Sequence, residues 1–394
     1  MVEVYHRQII AQQMAQQLLK PRVLDLPLRS GLFLSGLRRT GKTTFLRQDL
    51  IPALESGDGT GRSAVVIYVD LWTNPLVPPV QLILRAIRAK LCELEDPRAA
   101  VWSALKRVTS AQIAAGGLRF RFDLSKLGEE HGATLAEAFA QVIDQAQTDL
   151  VLIVDEVQQC LGREDAQSLM QSLKAARDAI NLRPATPGHF LFIGTGSHRS
   201  LVQEMTVRRK EAFVGAVNLD YPVLDEGFVS WVLERLRTQG ETIHPSSSAA
   251  WQGFKDLGHR PEPFIEAQRI LSHTVQPGDD IDAIWRGIVW AKRDSLADLE
   301  LAALEDLGPL AQLVFNRIAA HDGDEARGIY SSDALEGYRA ALGQDLRTEE
   351  VQTTVVALLE KNLICRTARG TYSITDPFVR QVWLERERPG VSGP

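Results

Sequence analysis

The sequence contains few cysteines, no long hydrophobic run and no excess of basic side chains. Its three cysteines stand far apart and form no C-x-x-C pair, which excludes a disulfide framework and a zinc knuckle. The eight histidines show no H-x-x-x-H or H-E-x-x-H spacing, so a metal site built from side chains alone is not expected. No apolar run approaches the roughly 20 residues of a membrane span. The first residues carry charges and lack the apolar core of a signal peptide, so we expect a cytoplasmic protein without a membrane partner.

Composition and length are those of an ordinary globular protein. The chain has 394 residues, of which 44% are hydrophobic and 24% are charged, and this excludes intrinsic disorder and collagen-like repetition. Its length predicts two or three domains. The 50 acidic and 44 basic side chains give a net charge of −6, which argues against a surface built throughout for nucleic acid.

Short apolar segments alternate with helical patterns in the first 222 residues. Strands that are apolar throughout are typical of a parallel sheet covered by helices on both faces. The predicted strands are Leu32–Leu34, Ala64–Val69, Leu150–Val154, Phe190–Ile193 and Ala216–Tyr221. Between the second and third of these, the alternation of Arg119–Phe122 predicts a short strand in an insertion hairpin packed on the core. The alternative for that segment is a basic and aromatic contact with nucleic acid.

The rest of the chain is predicted to be mainly helical. Helices follow one another from Asp225, and near the C-terminus three helices precede a hairpin, which is the plan of a winged helix. The predicted domains are an N-terminal helix (1–20), an α/β core (21–222), a helical lid (223–304), a winged helix (305–386) and a flexible tail (387–394). The Gln-rich face of the first helix is either solvated or a protein-docking surface.

The strongest motif is the run Gly-Leu-Arg-Arg-Thr-Gly-Lys-Thr at 36–43, which satisfies G-x-x-x-x-G-K-[ST]. A predicted strand precedes it and a predicted helix follows it, so backbone N–H groups can approach phosphate oxygens at a helix N-terminus. Lys42 would reach the β- and γ-phosphates of ATP, and the Thr43 hydroxyl would coordinate Mg²⁺. The alternative is a chance glycine-rich turn. The predicted nucleotide-binding residues are Gly36, Leu37, Arg38, Arg39, Thr40, Gly41, Lys42, Thr43 and Thr44.

A second motif, Leu-Val-Leu-Ile-Val-Asp-Glu at 150–156, follows about 110 residues later. It places Asp155 at the carboxyl end of a buried strand, where open α/β sheets bind ligands. Asp155 would hold Mg²⁺, and Glu156 would orient and deprotonate the attacking water. The alternative is a solvated Asp-Glu turn that merely ends a strand.

A third element ends the predicted strand Phe190–Ile193 in small polar residues. Thr195 or Ser197 there would hydrogen-bond the γ-phosphate or the lytic water and sense whether phosphate is present. The alternative is a turn that caps the next helix.

Together these motifs resemble those of AAA+/STAND-type P-loop ATPases, and the chain is most similar to the archaeal-type (MNS-like) ATPase family with a C-terminal winged helix. The closing segment Tyr-Ser-Ile-Thr-Asp-Pro-Phe-Val-Arg-Gln-Val-Trp at 372–383 matches that family as well. The resemblance implies an α/β P-loop NTPase core (ASCE, AAA+-like) with a parallel sheet of order 5-1-4-3-2, followed by a helical lid and a winged-helix domain.

The resemblance also implies two further arginine roles. Arg260, just before Pro261, occupies the place of a lid sensor that touches the β- or γ-phosphate; the alternative is an exposed arginine at a helix N-terminus. The family usually has Gly-x-Pro there, whereas this chain has Gly-His-Arg-Pro. An arginine finger is not found at its usual place before the fifth strand, and Arg208 or Arg209 is the nearest candidate. A short charge run of this kind also fits a solvated helix face.

The predicted winged helix carries twelve acidic and eight basic side chains between Glu305 and Leu384. The helix in the recognition position opens with Glu349 and Glu350, which would repel a DNA backbone, and only the wing with Arg366 and Arg369 is locally basic. A regulatory or protein-contact role is therefore favoured for this domain.

The sequence therefore favours an ATPase that couples Mg²⁺-dependent hydrolysis to conformational change and partner regulation. The partner would be another protein or a second copy of the chain, contacted through the lid and the winged helix. Two alternatives remain open: a slow nucleotide-dependent switch or scaffold with little turnover, and a DNA-binding initiator-like ATPase that acts through the winged helix.

Overall fold

The computed structural model describes residues 4–56, 63–96, 98–99, 118–128, 132–208, 210–321, 325–368 and 370–387. They form two compact units. The first comprises the residues up to Gly36 together with Lys42–Pro222, and the second comprises Leu37–Gly41 together with the residues from Val223 onward. Within these ranges no helix has the length and apolar character needed to cross a bilayer.

A five-stranded parallel sheet organises the first unit, with the strand order β2-β3-β4-β1-β5. Read from the other edge, this is the predicted order 5-1-4-3-2. Because all strands are parallel, their carboxyl ends meet at one edge, and the register sets Leu34 opposite Thr195 there. The strands are β1 Leu32–Ser35, β2 Ala64–Asp70, β3 Asp149–Asp155, β4 Phe190–Gly196 and β5 Val217–Asp220.

Helices cover both faces of this sheet. The second and third helices join through a π-helical turn, where the sequence predicts one uninterrupted helix from Lys42. The helices are α1 Gln8–Leu19, α2 Lys42–Phe45, α3 Ile51–Ser56, α4 Pro79–Glu95, α5 Leu135–Ala146, α6 Glu164–Asn181 and α7 Arg199–Val207.

Side chains of the interior strand β3 alternate between two hydrophobic cores. In β3, Leu152 and Val154 join the cluster that contains the apolar faces of α4, α5 and α6. Val151 and Ile153 join the cluster on the opposite face, against α1, α2 and α3. Every residue of β3 is buried because both faces are covered, which is why the strand is apolar throughout.

The predicted strand Arg119–Phe122 is wrong, since the structure has no strand there. The backbone N–H groups of Arg119 and Arg121 donate to the side-chain oxygens of Gln145 and Gln141, on α5. Phe120 nevertheless packs against the core, as the apolar alternation indicates. Glutamine side chains therefore take the place of the neighbouring strand that a hairpin would need.

The second unit contains eight helices and a small sheet within its described residues. The helices are α8 Glu226–Thr238, α9 Ser247–Asp256, α10 Pro261–Thr274, α11 Ile281–Glu305, α12 Pro309–Ala319, α13 Ser332–Leu342, α14 Thr348–Glu360 and α15 Pro377–Glu387. The strands β6 Ala326–Arg327, β7 Ile364–Ala368 and β8 Thr371–Ile374 form an antiparallel sheet of order β6-β8-β7.

The long helix α11 contributes to the C-terminal core of this unit. Ala297, Leu301 and Leu304 are buried in one cluster with residues of α12, α14 and α15. The helical pattern predicts an end at Ala297, but the apolar spacing continues to Leu304, so the helix runs eight residues further. The helix α15 is not predicted from the sequence, because the mixed charges of its second half obscure the apolar face formed by Phe378 and its neighbours.

Candidate functional site

The predicted phosphate loop leaves the sheet at Gly36, directly after β1. A Cβ atom at this position would lie 2.8 Å from the Cβ of Tyr221, so only glycine fits without displacement. The Gly36 N–H donates to the carbonyl of Gly196 at 3.1 Å, which ties the start of the loop to the end of β4.

The loop itself contains two residues in the left-handed region. Arg39 has φ of 63° and Gly41 has φ of 89°. The Thr40 hydroxyl donates to the carbonyl of Leu37 at 2.8 Å and closes the turn, while Arg38 and Arg39 are exposed. Left-handed residues within such a turn are a feature of backbone nests that bind anions.

Two oxygen-bearing side chains from distant parts of the sequence meet at the start of α2. Thr43 lies in the first turn of that helix, and its Oγ1 donates to Oδ2 of Asp155, at the end of β3, at 2.8 Å. Asp155 is only 1% exposed. The structure thus brings together the two residues that the sequence predicts as metal ligands.

Glu156 follows Asp155 and accepts from several donors. Its Oε1 lies 3.3 Å from Nζ of Lys42, and its Oε2 accepts from the Ser197 hydroxyl at 2.9 Å and from Nε2 of Gln158. Glu156 adopts the left-handed conformation with φ of 57°, which carries backbone strain and turns the chain directly after the strand. The carboxylate is therefore held at the edge of the sheet among polar groups.

Lys42 is a buried cation whose charge is balanced within this cluster. The side chain is 6% exposed, and Nζ lies 3.7 Å from Oδ1 of Asp155 as well as near Glu156. A buried ammonium without such partners would be unstable. The same pairing means that the lysine is oriented toward the two acidic residues.

Two further residues fix the carboxylate of Asp155. Thr195, which is fully buried at the end of β4, donates from Oγ1 to Oδ1. Tyr68, on β2, donates from its hydroxyl to Oδ2 at 3.3 Å. The sequence predicts a site role for Thr195 but not for Tyr68, whose only signal is its position near the carboxyl end of the neighbouring strand.

Several ionisable side chains lie close together at this edge of the sheet and influence one another's pKa. Burial raises the pKa of Asp70, and the negative charges of Asp155 and Glu156 raise it further. Burial also raises the pKa of Tyr68, with Asp155 adding to the effect, so this phenol stays a hydrogen-bond donor at neutral pH. Gln158 and Asp70 were not predicted as site residues, although Asp70 ends β2 and Gln158 lies three positions after the end of β3.

The oxygen set suits a magnesium ion. Mg²⁺ prefers oxygen ligands and keeps several waters, and it is commonly held by one or two protein groups together with substrate phosphates. The adjacent oxygens of Thr43 and Asp155 fit that pattern. In the part of the chain that the structure describes, no group of three or more His, Cys, Asp or Glu residues is placed to hold a metal by itself.

The remaining predicted residues lie in different surroundings. Thr44 is exposed on the first turn of α2. Arg260 belongs to the second unit, where its guanidinium pairs with Asp376 and lies 4.6 Å from the ring centroid of Phe378. Arg208, directly after α7, forms an ion pair with a glutamate of that helix four residues earlier, and Arg209 lies outside the described residues.

Comparisons with known proteins show similarity of structure and not of sequence. No protein-family model matches the chain, and no curated protein matches it either. A Walker-type ATPase of Pyrococcus abyssi has a TM-score of 0.57 and 16% identity, covering 97% of this chain and 96% of that chain. The ORC2 protein of Aeropyrum pernix has a TM-score of 0.54 in its ADP form, with 13% identity over 97% of this chain and 94% of that one. The same protein in its ADPNP–ADP complexes has a TM-score of 0.52 at 13% identity, covering 98% of this chain and 96% of that chain.

The fold of the chain is therefore that of Walker-type P-loop ATPases along nearly its whole length. The five-stranded parallel sheet and the helical C-terminal region confirm the predicted fold class.

Proposed function

We propose that the protein is a Mg²⁺-dependent ATPase. The observation that carries this proposal is the meeting of two sequence motifs at one edge of the sheet. Lys42 contacts Glu156, and Thr43 contacts Asp155, across more than one hundred residues of sequence. A lysine, a hydroxyl and two carboxylates in this arrangement are the groups that P-loop enzymes use for phosphoryl transfer to water.

Each of these residues has a definite role in the proposed reaction. Lys42 binds the β- and γ-phosphates and offsets the negative charge that spreads over the transferred group. Thr43 and Asp155 hold the magnesium ion, which when bound neutralises charge on the phosphates. Glu156 orients the attacking water in line with the leaving group and accepts its proton.

Binding of phosphate must rearrange the contact between Lys42 and Glu156. The ammonium lies 3.3 Å from the carboxylate, and a γ-phosphate would compete for the same cation. When Lys42 turns to the phosphate, Glu156 loses its cationic partner, and its carboxylate can accept a hydrogen bond from water instead. Thr195 and Ser197, which contact Asp155 and Glu156, would transmit the presence of phosphate between the two carboxylates.

We further propose that hydrolysis serves conformational change and the regulation of a partner. In this scheme the helices of 223–304 act as a lid and those of 305–386 as a winged helix that contacts a protein or a second copy of the chain. The closing segment at 372–383 supports membership of the MNS-like group of AAA+/STAND-type ATPases. A sensor role for Arg260 requires that its guanidinium leave Asp376 and Phe378 for a phosphate.

A slow nucleotide-dependent switch is the second candidate, and one observation favours it. Glu156 accepts from Lys42, Gln158 and Ser197, so few of its lone pairs remain for a water molecule. A base restrained in this way would turn over slowly until the contacts change, and the output would be assembly rather than hydrolysis.

Steady-state phosphate release with matched variants separates these functions. Replacing the base in Glu156→Gln is expected to lower kcat by about 100-fold or more while nucleotide binding persists. Lys42→Ala is expected to abolish nucleotide binding itself. Glu164→Gln, at an exposed glutamate on α6, is the matched control and is expected to behave like the wild type.

Two results would decide against hydrolysis as the function. If the wild type releases phosphate no faster than Glu156→Gln while both bind ATP, the ATPase proposal fails and the switch remains. If Lys42→Ala binds ATP as tightly as the wild type, the nucleotide site itself is misplaced and both proposals fail.

A further inference from the structure

A second candidate ligand site lies in the second unit, and none of its lining residues belongs to the predicted nucleotide motifs. A cavity of about 410 Å³ opens between α9, α11 and α15. Its size falls within the range of small-molecule pockets, and spaces between packed helices are a common place for them.

Two tryptophans on α11 give the cavity an aromatic lining. Trp285 is fully buried, and its indole N–H donates to the carbonyl of Ala249 at 3.0 Å, which fixes the ring. A Cβ atom at Gly253 would lie 2.6 Å from the same nitrogen, so glycine is required there for the ring to fit. Trp290 also lines the cavity and is 36% exposed, which leaves indole surface for a ligand to contact.

A buried arginine supplies an unused hydrogen-bond donor. Arg293 is 5% exposed, its Nη1 lies 2.6 Å from Oε2 of Glu385, and its guanidinium lies 5.1 Å from the ring centroid of Trp290. Its Nη2 is buried and has no hydrogen-bond partner among the described residues. Because an unpaired buried donor is costly, an acceptor oxygen from a ligand would stabilise this arrangement.

The charges of the lining disfavour a phosphorylated ligand. Three carboxylates, those of Asp256, Asp282 and Glu385, face two guanidiniums, those of Arg286 and Arg293. This excess of one negative charge repels a dianionic phosphate. Carboxylates accept several hydrogen bonds each, so the same groups suit a ligand that carries N–H donors.

We propose that this cavity binds an uncharged nucleobase or nucleoside of the guanine type. Such a base is flat enough to contact Trp290, carries a carbonyl oxygen for Nη2 of Arg293, and presents ring and exocyclic N–H groups to the carboxylates. Arginine pairs well with the carbonyl edge of guanine, and carboxylates accept from nucleobase amino groups. Adenosine has no carbonyl on its base, so it serves as the comparison compound and is expected to bind more weakly.

Isothermal titration of the full chain with guanosine tests the proposal. A nucleoside carries no phosphates, so the phosphate loop contributes little to its binding. We expect a dissociation constant below about 1 mM for guanosine, with adenosine and guanosine monophosphate each at least fivefold weaker. Lys42→Ala is the control for the nucleotide site and is expected to bind guanosine like the wild type.

Two variants address the cavity directly. Trp290→Ala removes the exposed ring but leaves the ion pair of Arg293 with Glu385, and Arg293→Gln removes the unused donor. Each is expected to weaken guanosine binding about tenfold, and thermal melting of both variants checks that the unit remains folded. If Arg293→Gln fails to fold, Trp290→Ala alone decides the test.

Several outcomes would overturn the proposal. The first is the absence of binding heat with guanosine at 1 mM, and the second is an unchanged affinity for guanosine in Trp290→Ala. The third is loss of guanosine binding in Lys42→Ala, which would show that guanosine binds at the nucleotide site. Adenosine binding as tight as guanosine binding would also overturn it, because the carbonyl of the base would then have no role.

Discussion

At the scale of single residues, Thr195 is expected to orient Asp155, the predicted metal ligand. Its buried hydroxyl donates to Asp155, and such a contact orients a carboxylate toward its ion. We expect Thr195→Val, which keeps the shape but loses the donor, to raise the Mg²⁺ concentration for half-maximal phosphate release about tenfold. The lost hydrogen bond should also lower the free energy of unfolding by about 1 kcal/mol.

The conservative variant Thr195→Ser retains the hydroxyl and serves as the control. Its Mg²⁺ requirement should stay within about twofold of the wild type, because the donor to Asp155 is kept. An identical Mg²⁺ titration for the wild type, Thr195→Ser and Thr195→Val would mean that this contact does not position a metal ligand.

The candidate site could be read from the sequence only where a motif has a fixed spacing. Lys42, Thr43, Asp155 and Glu156 lie in such motifs, and the structure brings them together. Tyr68 could not be found in this way, since its contact with Asp155 depends on which strand lies next to β3. Likewise, nothing in the local sequence of Arg260 indicates that its partner would be Asp376, more than one hundred residues later.

At the scale of secondary structure elements, prediction succeeded where burial on two faces makes a strand continuously apolar. Each of the five predicted strands of the parallel sheet is present, within a few residues at its ends. The segment Arg119–Phe122 was wrongly predicted to be a strand. Its alternation arises because one face packs on the core, while glutamine side chains of α5 accept hydrogen bonds from its backbone N–H groups. The strand Ala326–Arg327 has only two residues, too few to show any period.

Gly36 links the first strand of the sheet to the predicted phosphate loop, and its size matters for stability. Gly36→Ala would place a methyl group 2.8 Å from the Cβ of the buried Tyr221. We expect the free energy of unfolding to fall by about 1–3 kcal/mol, because the backbone of one element must shift. Urea unfolding without nucleotide measures this directly, so the result is independent of any role in phosphate binding.

A glycine with free space around it provides the comparison. Gly287 lies on the exposed face of α11, and a Cβ there would meet nothing within 4 Å. Gly287→Ala should raise the free energy of unfolding by up to about 1 kcal/mol through its higher helix propensity. If Gly36→Ala is as stable as the wild type, the prediction is wrong, because the backbone can then move away from Tyr221 at little cost in free energy.

At the scale of the whole molecule, the three thiols report on how the chain is packed. Cys92 is exposed, whereas Cys160 and Cys365 are buried. Burial raises the pKa of Cys160 to about 12, with the negative charge of Asp165 adding to the effect. Because the thiolate is the reactive form, we expect one fast thiol with Ellman's reagent at pH 8 in the native protein and three in denaturant.

The pH dependence of this labelling follows from the same shift. Raising the pH from 8 to 9 increases the thiolate fraction of Cys92 but leaves Cys160 protonated, so the number of fast thiols should stay at one. Cys92→Ser should remove the fast phase altogether. A second fast thiol in the native wild type would show that one of the buried cysteines is accessible.

The charge of residues 305–386 bears on the remaining alternative, an initiator-like ATPase that binds DNA. The helix α14 begins with Glu349 and Glu350, and the carboxylate of Glu350 is fixed there by the backbone N–H of Arg347 at 2.8 Å. On the hairpin, the side chain of Arg366 donates to the Tyr372 hydroxyl at 3.1 Å instead of extending freely. If α14 were the helix that contacts DNA, the surface it presents would therefore be acidic where the helix begins.

We expect no measurable affinity for a 30-base-pair duplex at 50 mM salt, and no stimulation of phosphate release by it. Fluorescence anisotropy at 50 and 200 mM salt checks this, since binding through phosphate contacts weakens steeply over that range. Glu349→Lys, at an exposed position, should raise any residual affinity at 50 mM salt. Wild-type binding at 50 mM that disappears at 200 mM, with stimulated phosphate release, would instead favour the initiator-like function, because an acidic helix start would then not prevent the approach of DNA.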